Sequence, residues 1–424
     1  MIYKKNSYIN IVSFLLYLLP LALLTGPFLP DLIVTCASIS FVYYSLKFKE
    51  KKYFKNYFFY FFSIMWIVFM SSSFLSENIL ISLKSSLAYI RHIIFIFLVY
   101  FIIDKNKKFL KKFNFYLIIL LTLVVFDSII QKSFGFNLFG FKSPHELKIT
   151  SFLGDEPILG TYFLRIYSIL FLINLMLNKN SNVLLGLFYV IIVPLVFYSG
   201  QRTIFYLSLL FIPFFLIFIH HNKYNILSLF ILFGFLFYNF SFNESYKNRM
   251  ITDITSNYSK FKPQNYSNDS KHKYFKFLFY SPHQTVLWIT SLNMFFQNKM
   301  LGVGPNNFRY KCEEYKKIDD KEFDYCSSHP HNFLFQFLSE TGLIGTILYI
   351  FFLLYVIKEL LFLFLKKILR KQIDIPYAFV LFILIINFFP FVPNGNFFNN
   401  YLSIINLMPV PFLIYMINKK FNVK

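Results

Sequence analysis

The sequence predicts an all-α polytopic membrane protein of about 12 transmembrane helices, and three observations carry that prediction. The chain is 57% hydrophobic and only 15% charged, whereas soluble globular chains carry roughly 25% charged residues. Apolar runs near the roughly 20 residues needed to cross a hydrocarbon core recur along its length. Basic residues collect in alternate loops. That placement makes the net charge of +22 a topology signal, so no nucleic-acid partner is expected. Three cysteines exclude a disulfide scaffold and a four-cysteine zinc site.

The spans are expected at 9–29, 31–46, 57–75, 86–103, 115–130, 157–177, 183–200, 204–220, 226–241, 341–365, 376–392 and 401–417. They divide the chain into nine membrane helices over 1–241, a polar loop domain over 242–340, and three helices over 341–424. The first span follows Lys4 and Lys5 like a signal peptide, but its length, Pro20, Pro27 and the next span favour a retained anchor. Lys47, Lys49, Lys51, Lys52 and Lys55 follow the second span; Lys105, Lys107, Lys108, Lys111 and Lys112 follow the fourth. Lys366, Lys367, Arg370 and Lys371 follow the tenth, and Lys419, Lys420 and Lys424 follow the last. Positive loops stay in the cytoplasm, which places both termini there and the intervening loops outside. The large loop then faces outward.

That loop is too long for a simple connector. It carries Asp319, Asp320, Glu322 and Asp324 among lysines, and over 284–298 an apolar pattern at helical spacing that fits a helix on the membrane surface. A second outward loop, 131–156, leads into SFLGDEP.

Chemistry concentrates in HPHNFLFQFLSETGLIG, residues 329–345. A lone loop histidine is more often a solvated surface residue, but His331 stands where the loop enters the membrane, and an imidazole accepts a proton near neutral pH. Glu340 follows on the same helix and is expected to orient the histidine or the loop; Glu156, on the other outward loop, is the alternative base. Gly342 and Gly345 permit a tight bend or close packing. A second group is basic: Lys84 and Arg91 two turns apart on one span, Arg165 half a span into the sixth, and Arg202 after Ser199-Gly200-Gln201. Arginine in a span costs about 2.5–3.5 kcal/mol by insertion scales and usually faces the bundle interior. Snorkelling to the headgroups, or pairing with a buried acid such as Asp127, is the plain structural reading. Convergence on a lipid-linked pyrophosphate is the functional one, because guanidinium grips phosphate oxygens bidentately. A third segment, GVGPNNF at 302–308, reads as a tight turn without the spacing of a phosphate-binding glycine loop. Cys312 and Cys326, on the same loop, are close enough in sequence for a bridge worth roughly 3 kcal/mol.

HPHNFLFQFLSETGLIG, preceded by LGVGPNNFR, resembles the signature region of the O-antigen ligase and O-antigen polymerase family of bacterial envelopes. SFLGDEPILGTYFLR, SGQRT and the late FPFVPNGNFF are similar to accompanying segments. The resemblance implies a C-type glycosyltransferase-like helical fold, a periplasmic site and no required metal or cofactor. It puts the outer-loop histidine at His331, an arginine at Arg202, and a further loop base ahead of the histidine, for which Arg249 is nearest. The expected reaction moves a glycan from undecaprenyl pyrophosphate to lipid A–core or to a growing glycan acceptor. Arg202, Arg91, Lys84 and Arg249 would hold the pyrophosphate. A polymerase would use the same residues. A flippase of lipid-linked oligosaccharides, the reading from another class, predicts short outer loops and charges deep in many spans.

The orientation is tested in intact cells with a membrane-impermeant cysteine reagent on single-cysteine variants. Loops 131–156 and 242–340 should label and 47–56 and 104–114 should not; the reverse pattern would overturn the assignment.

Overall fold

The computed structural model describes residues 2–144, 147–177, 182–219, 223–252, 282–315 and 326–421. Among the described residues the chain is helical without a strand; Phe136 and Lys142 form an isolated bridge. In order the helices are α1 (Ile2–Ala22), α2 (Phe28–Phe48), α3 (Tyr57–Phe74), α4 (Ile79–Lys105), α5 (Phe109–Phe134) and α6 (Leu159–Met176). Then come α7 (Asn182–Tyr198), α8 (Arg202–Leu209), α9 (Phe211–Phe218), α10 (Lys223–Phe242) and α11 (Glu244–Lys247). The last six are α12 (Pro282–Gln297), α13 (Phe308–Tyr315), α14 (Phe333–Ile368), α15 (Ile375–Asn387), α16 (Asn400–Leu407) and α17 (Val410–Phe421). Each expected span overlaps a helix among the described residues. Eight stretches there are long and apolar enough to cross a membrane, and Phe188–Tyr198, Arg202–Phe218, Leu229–Phe242 and Ile375–Asn387 are shorter apolar helices. The chain is an all-α polytopic membrane protein.

Proline explains two departures from the expected spans. The span over 204–220 divides into α8 and α9 because Pro213, lacking an N–H, cannot bond to the carbonyl of Leu209. The last span divides likewise at Pro409 and Pro411. A third departure lies at α14, which begins at Phe333 and not at 341. Gly342 (φ 62°, ψ −159°) breaks its helical path, so 333–341 form a short helix and the long membrane segment follows. The amphipathic stretch 284–298 is helical as α12. However, Thr285 to Ser291 are buried, and Trp288 stacks on Phe335 at 4.9 Å. Its apolar face therefore packs on the start of α14, and the placement on the membrane surface does not hold.

Helix α6 is buried along nearly its whole length, and α4 packs against α2, α3 and α17. Lipid is as apolar as leucine, so the bundle is held by close packing and interhelical polar bonds, not by water exclusion. The phenylalanine excess supplies the packing. Phe214 meets Phe382 at 4.6 Å and Phe171 meets Phe379 at 4.7 Å, pairs worth about 0.5–1.5 kcal/mol each beyond burial. Polar cross-links join α5 to α6 (Asn174 Nδ2 to Asn114 Oδ1, 2.5 Å), α2 to α4 (Ser38 Oγ to the Arg91 carbonyl, 2.9 Å) and α6 to the end of α1 (Tyr162 to the Pro20 carbonyl, 2.9 Å). Arg165 is buried and donates to Asn387 and, at 3.5 Å, to the Ile386 carbonyl. Asp127 accepts from Ser151 Oγ and Leu138 N. Hence neither arginine pairs with Asp127 as the plain reading supposed; Arg91 meets Asp31 at 2.7 Å. On the outside, Ile347, Ile350, Phe351, Leu354, Leu361 and Leu365 are exposed along α14, an apolar stripe suited to acyl chains.

The two ends of the bundle differ. At one, Lys5 and Lys105 approach Glu50 (3.6 and 3.4 Å) and Lys52 approaches Asp104 (2.9 Å). At the other lie the start of α4, the end of α5, the starts of α6, α8 and α14, and the segment after α10. This second end is closed by a backbone crossing. Val303 N and Gly304 N donate to the carbonyls of Ser339 and Glu340 (2.9 and 3.0 Å), and Leu343 N donates to that of Lys299 (2.7 Å). Ser72 Oγ at the end of α3 reaches the carbonyls of Leu301 (2.5 Å) and Glu340 (2.8 Å). A Cβ on Gly302 (φ 67°) would lie 2.5 Å from the Glu340 carbonyl carbon, and one on Gly342 would lie 2.5 Å from that of Met300. Only glycine allows the strands of chain to approach so closely.

Gly302→Ala and Gly342→Ala should each lower the melting temperature in detergent, losing at least about 1–3 kcal/mol from the backbone conformation alone. Gly234→Ala is the control, since open space surrounds that position. Melting of both variants with the wild type would remove the crossing from the account.

Candidate functional site

The HPHN turn is fixed residue by residue before α14 begins. Asn332 caps the helix by accepting from Phe335 N at 3.2 Å, and its Nδ2 donates to the carbonyls of Pro390 (2.9 Å) and Val392 (3.1 Å). Trp288 Nε1 donates to the Pro330 carbonyl at 3.0 Å, and Asn394 N donates to that of His331 at 2.8 Å. Between these anchors His331 takes a left-handed backbone conformation (φ 55°), which a non-glycine residue keeps only where its surroundings over-determine it. Its Nε2 lies 3.2 Å from Ser327 Oγ, and its ring centroid lies 4.1 Å from that of His329. Burial, then the neighbouring His331 and Arg309, depress His329 to about 3. Its Nδ1 lies 2.8 Å from Ser328 Oγ.

Glu340 is fully buried. Its Oε1 accepts from Phe308 N (3.1 Å) and its Oε2 from Gln336 Nε2 (2.9 Å). Gln336 also donates to Asn396 Oδ1 (2.7 Å), and Asn396 Nδ2 donates to Asn306 Oδ1 (2.8 Å). Of the two roles expected for this carboxylate, the contacts match orientation of the loop: it joins α14 to the 302–308 turn and to the segment after α15. Glu156 is exposed in the bend before α6, its N–H donating to the Leu153 carbonyl at 3.2 Å.

The basic residues sort into two groups. Lys84 and Arg91 line a cavity of about 570 Å³ together with Asp31, His92, Asn306, Arg309, Asn396, Asn399 and Asn400. Arg202, the first residue of α8, belongs with Arg249 and Lys148. Arg249 donates to the carbonyls of Gly200 (3.3 Å) and Leu147 (3.4 Å). Burial and the charges of Arg249 and Arg202 push the Lys148 amine below its usual range. Lys132 stands nearby, bonded to Tyr246 Oη at 2.6 Å and seated over the rings of Tyr198 and Tyr246. Arg249 carried little sequence signal, yet its guanidinium lies against the turn that precedes Arg202.

Reasoning from sequence missed Arg309, Lys148 and His329. Arg309 closes the quoted LGVGPNNFR, and an arginine directly after a fixed turn was the available clue. Lys148 stands just before SFLGDEP, in a loop read for its acids. Cys312 and Cys326 are bridged, their Cα atoms 5.3 Å apart. Among the described residues no group of three or more His, Cys, Asp or Glu side chains is placed to hold a metal. Asp319, Asp320, Glu322 and Asp324 lie outside them.

No curated protein matches this chain. Residues 166–350 match the O-antigen ligase family, a stretch that contains Arg202, Arg249, the 302–308 turn, His331 and Glu340 but not Lys84 or Arg91. Over that stretch, somewhat less than half of its length, the chain is similar to the O-antigen ligase/polymerase family of membrane glycosyltransferase-like proteins.

Proposed function

We propose that this protein transfers a glycan from undecaprenyl pyrophosphate to an acceptor hydroxyl at the periplasmic face of the bacterial inner membrane, as a ligase acting on lipid A–core. The observation that carries the reading is the meeting of Lys148, Arg202 and Arg249 at the same end of the bundle as His331. Three basic side chains in one place suit an anionic ligand, and a pyrophosphate matches both their charge and the bidentate geometry of guanidinium. Extension of a lipid-linked chain by repeat units would use the same groups. A transporter gains nothing from the family match.

In the proposed reaction the acceptor oxygen attacks the anomeric carbon while the bond from that carbon to the pyrophosphate oxygen breaks. The acceptor proton passes to His331, and undecaprenyl pyrophosphate leaves with the bonding pair. Single displacement inverts the anomeric centre. Base catalysis of this kind contributes roughly 10²–10⁴-fold. Lys148, Arg202 and Arg249 stabilise charge that grows on the leaving group. Glu340 acts as a positioning residue through Gln336 and Phe308, and Glu156 is the second candidate for the base. The reaction as written needs no metal.

With purified protein and a lipid-linked donor, His331→Ala should reduce transfer by roughly 10²-fold or more while donor binding persists. Unchanged transfer would discard the base and leave Glu156. Arg202→Ala should raise the donor KM as well as lower kcat, and Arg202→Lys should restore only part, since an ammonium lacks the forked grip.

The depressed Lys148 amine gives a pH signature. Below its folded-state value the amine is charged and holds the donor. As pH rises through that value the charge is lost, so the donor KM should climb in the alkaline range, and in Lys148→Arg it should not. A parallel rise in both proteins would remove Lys148 from the site.

A further inference from the structure

The cavity lined by Lys84, Arg91 and Arg309 has no part in donor binding as proposed above. We propose that it is the acceptor site and that it takes an anionic saccharide, one bearing phosphate on a sugar. This rests on the glycan-transfer reading and adds to it the place and chemical class of the second substrate.

Charge is the first argument. Three cations line the cavity against a single carboxylate, Asp31, which is already paired with Arg91. No carboxylate lies within ion-pairing distance of Lys84 or Arg309 among the described residues. Two such charges in one recess favour an anion. The second argument is the polar lining. His92 is 2% exposed and lines the cavity, and its Nδ1 has no hydrogen-bond partner; a buried polar atom of this kind calls for one. Asn399 and Asn400 add amides beside the rings of Tyr89, Tyr310 and Phe398, while the lining amides of Asn306 and Asn396 are held by each other, by Ser85 and by Gln336. Amides and aromatic faces together suit the hydroxyls and the apolar face of a sugar. A bare phosphate uses neither.

Position is the third argument. Arg309 is near enough to His329 to depress its imidazole, and His329 abuts His331. Asn394 N holds the His331 carbonyl, close in the chain to Asn396 of the lining. An acceptor hydroxyl must reach the base, and the cavity is linked to it through Arg309 and His329 on one side and through the 394–396 segment on the other. The volume of about 570 Å³ falls within the range of ligand sites.

The test uses the full chain in detergent with glucose 6-phosphate, glucose and inorganic phosphate as calorimetric probes, followed by transfer kinetics. Glucose 6-phosphate should bind, with both other probes weaker by roughly tenfold or more. Lys84→Met and Arg309→Gln should each lose roughly tenfold in its affinity, and Arg202→Gln should bind it as the wild type does. In transfer assays the first two should raise the acceptor KM and leave that of the donor unchanged. Equal binding of glucose and glucose 6-phosphate overturns the anionic requirement, and equal binding of inorganic phosphate overturns the saccharide. Loss of binding in Arg202→Gln alone, or a raised donor KM in Lys84→Met, gives the cavity to the donor and overturns the proposal. Wild-type protein without transfer activity would refute the glycan-transfer reading, and the binding arm would still decide the cavity.

Discussion

The crossing of two backbone segments at Gly302 and Gly342 is the constraint on which the rest of this end of the molecule depends. It fixes the 302–308 turn against α14, and that turn carries Asn306 and leads into Arg309. The same contact places the Phe308 amide where Glu340 accepts from it. Through Gln336 and Asn396 the geometry passes to the segment after α15, whose Asn394 amide holds His331. A side chain on either glycine would separate the segments and loosen the histidine, the arginine and the cavity wall together. Glu340 sits buried at this junction. Its two oxygens are occupied by protein donors, and removing one partner of a buried polar pair typically costs about 1–3 kcal/mol.

A lipid surround explains why so many polar side chains serve structure here. Water cannot satisfy backbone groups freed at the breaks near Pro213 and Pro409, so neighbouring chain must do so. The bond from Tyr189 Oη to the Ser208 carbonyl, beside the first of these breaks, is of this kind. The cations divide along the same logic. Those at the Glu50 and Asp104 end are paired on the surface, where such bridges add little to stability. At the His331 end Arg91 and Lys311 are also paired, with Asp31 and with Glu77 and Glu314, while Lys148 stands near Arg202 and Arg249.

Much of the fold was legible in the sequence because it is written in long apolar runs and in the alternation of lysine-rich loops. The positions of the helices follow from these directly. Breaks within spans were not read, although Pro213 and Pro409 mark them, since hydropathy averages over a single proline. The helix entered at His331 and Asn332 was read, but not its break at Gly342, which separates 333–341 from the long membrane segment. For the site, motif residues His331 and Arg202 stood out by type and place. The partition of Lys84 and Arg91 from Arg202 and Arg249 did not, because helix order says nothing of which ends meet. Arg309 and Lys148 were missed for the same reason: each owes its importance to neighbours distant in sequence.

An experimental structure of the protein with an undecaprenyl-pyrophosphate analogue tests the account most directly. The account predicts pyrophosphate density between Lys148, Arg202 and Arg249, with the first sugar turned toward His331 and the Lys84–Arg309 cavity left to the acceptor. Pyrophosphate seated against Lys84, Arg91 and Arg309 would contradict it.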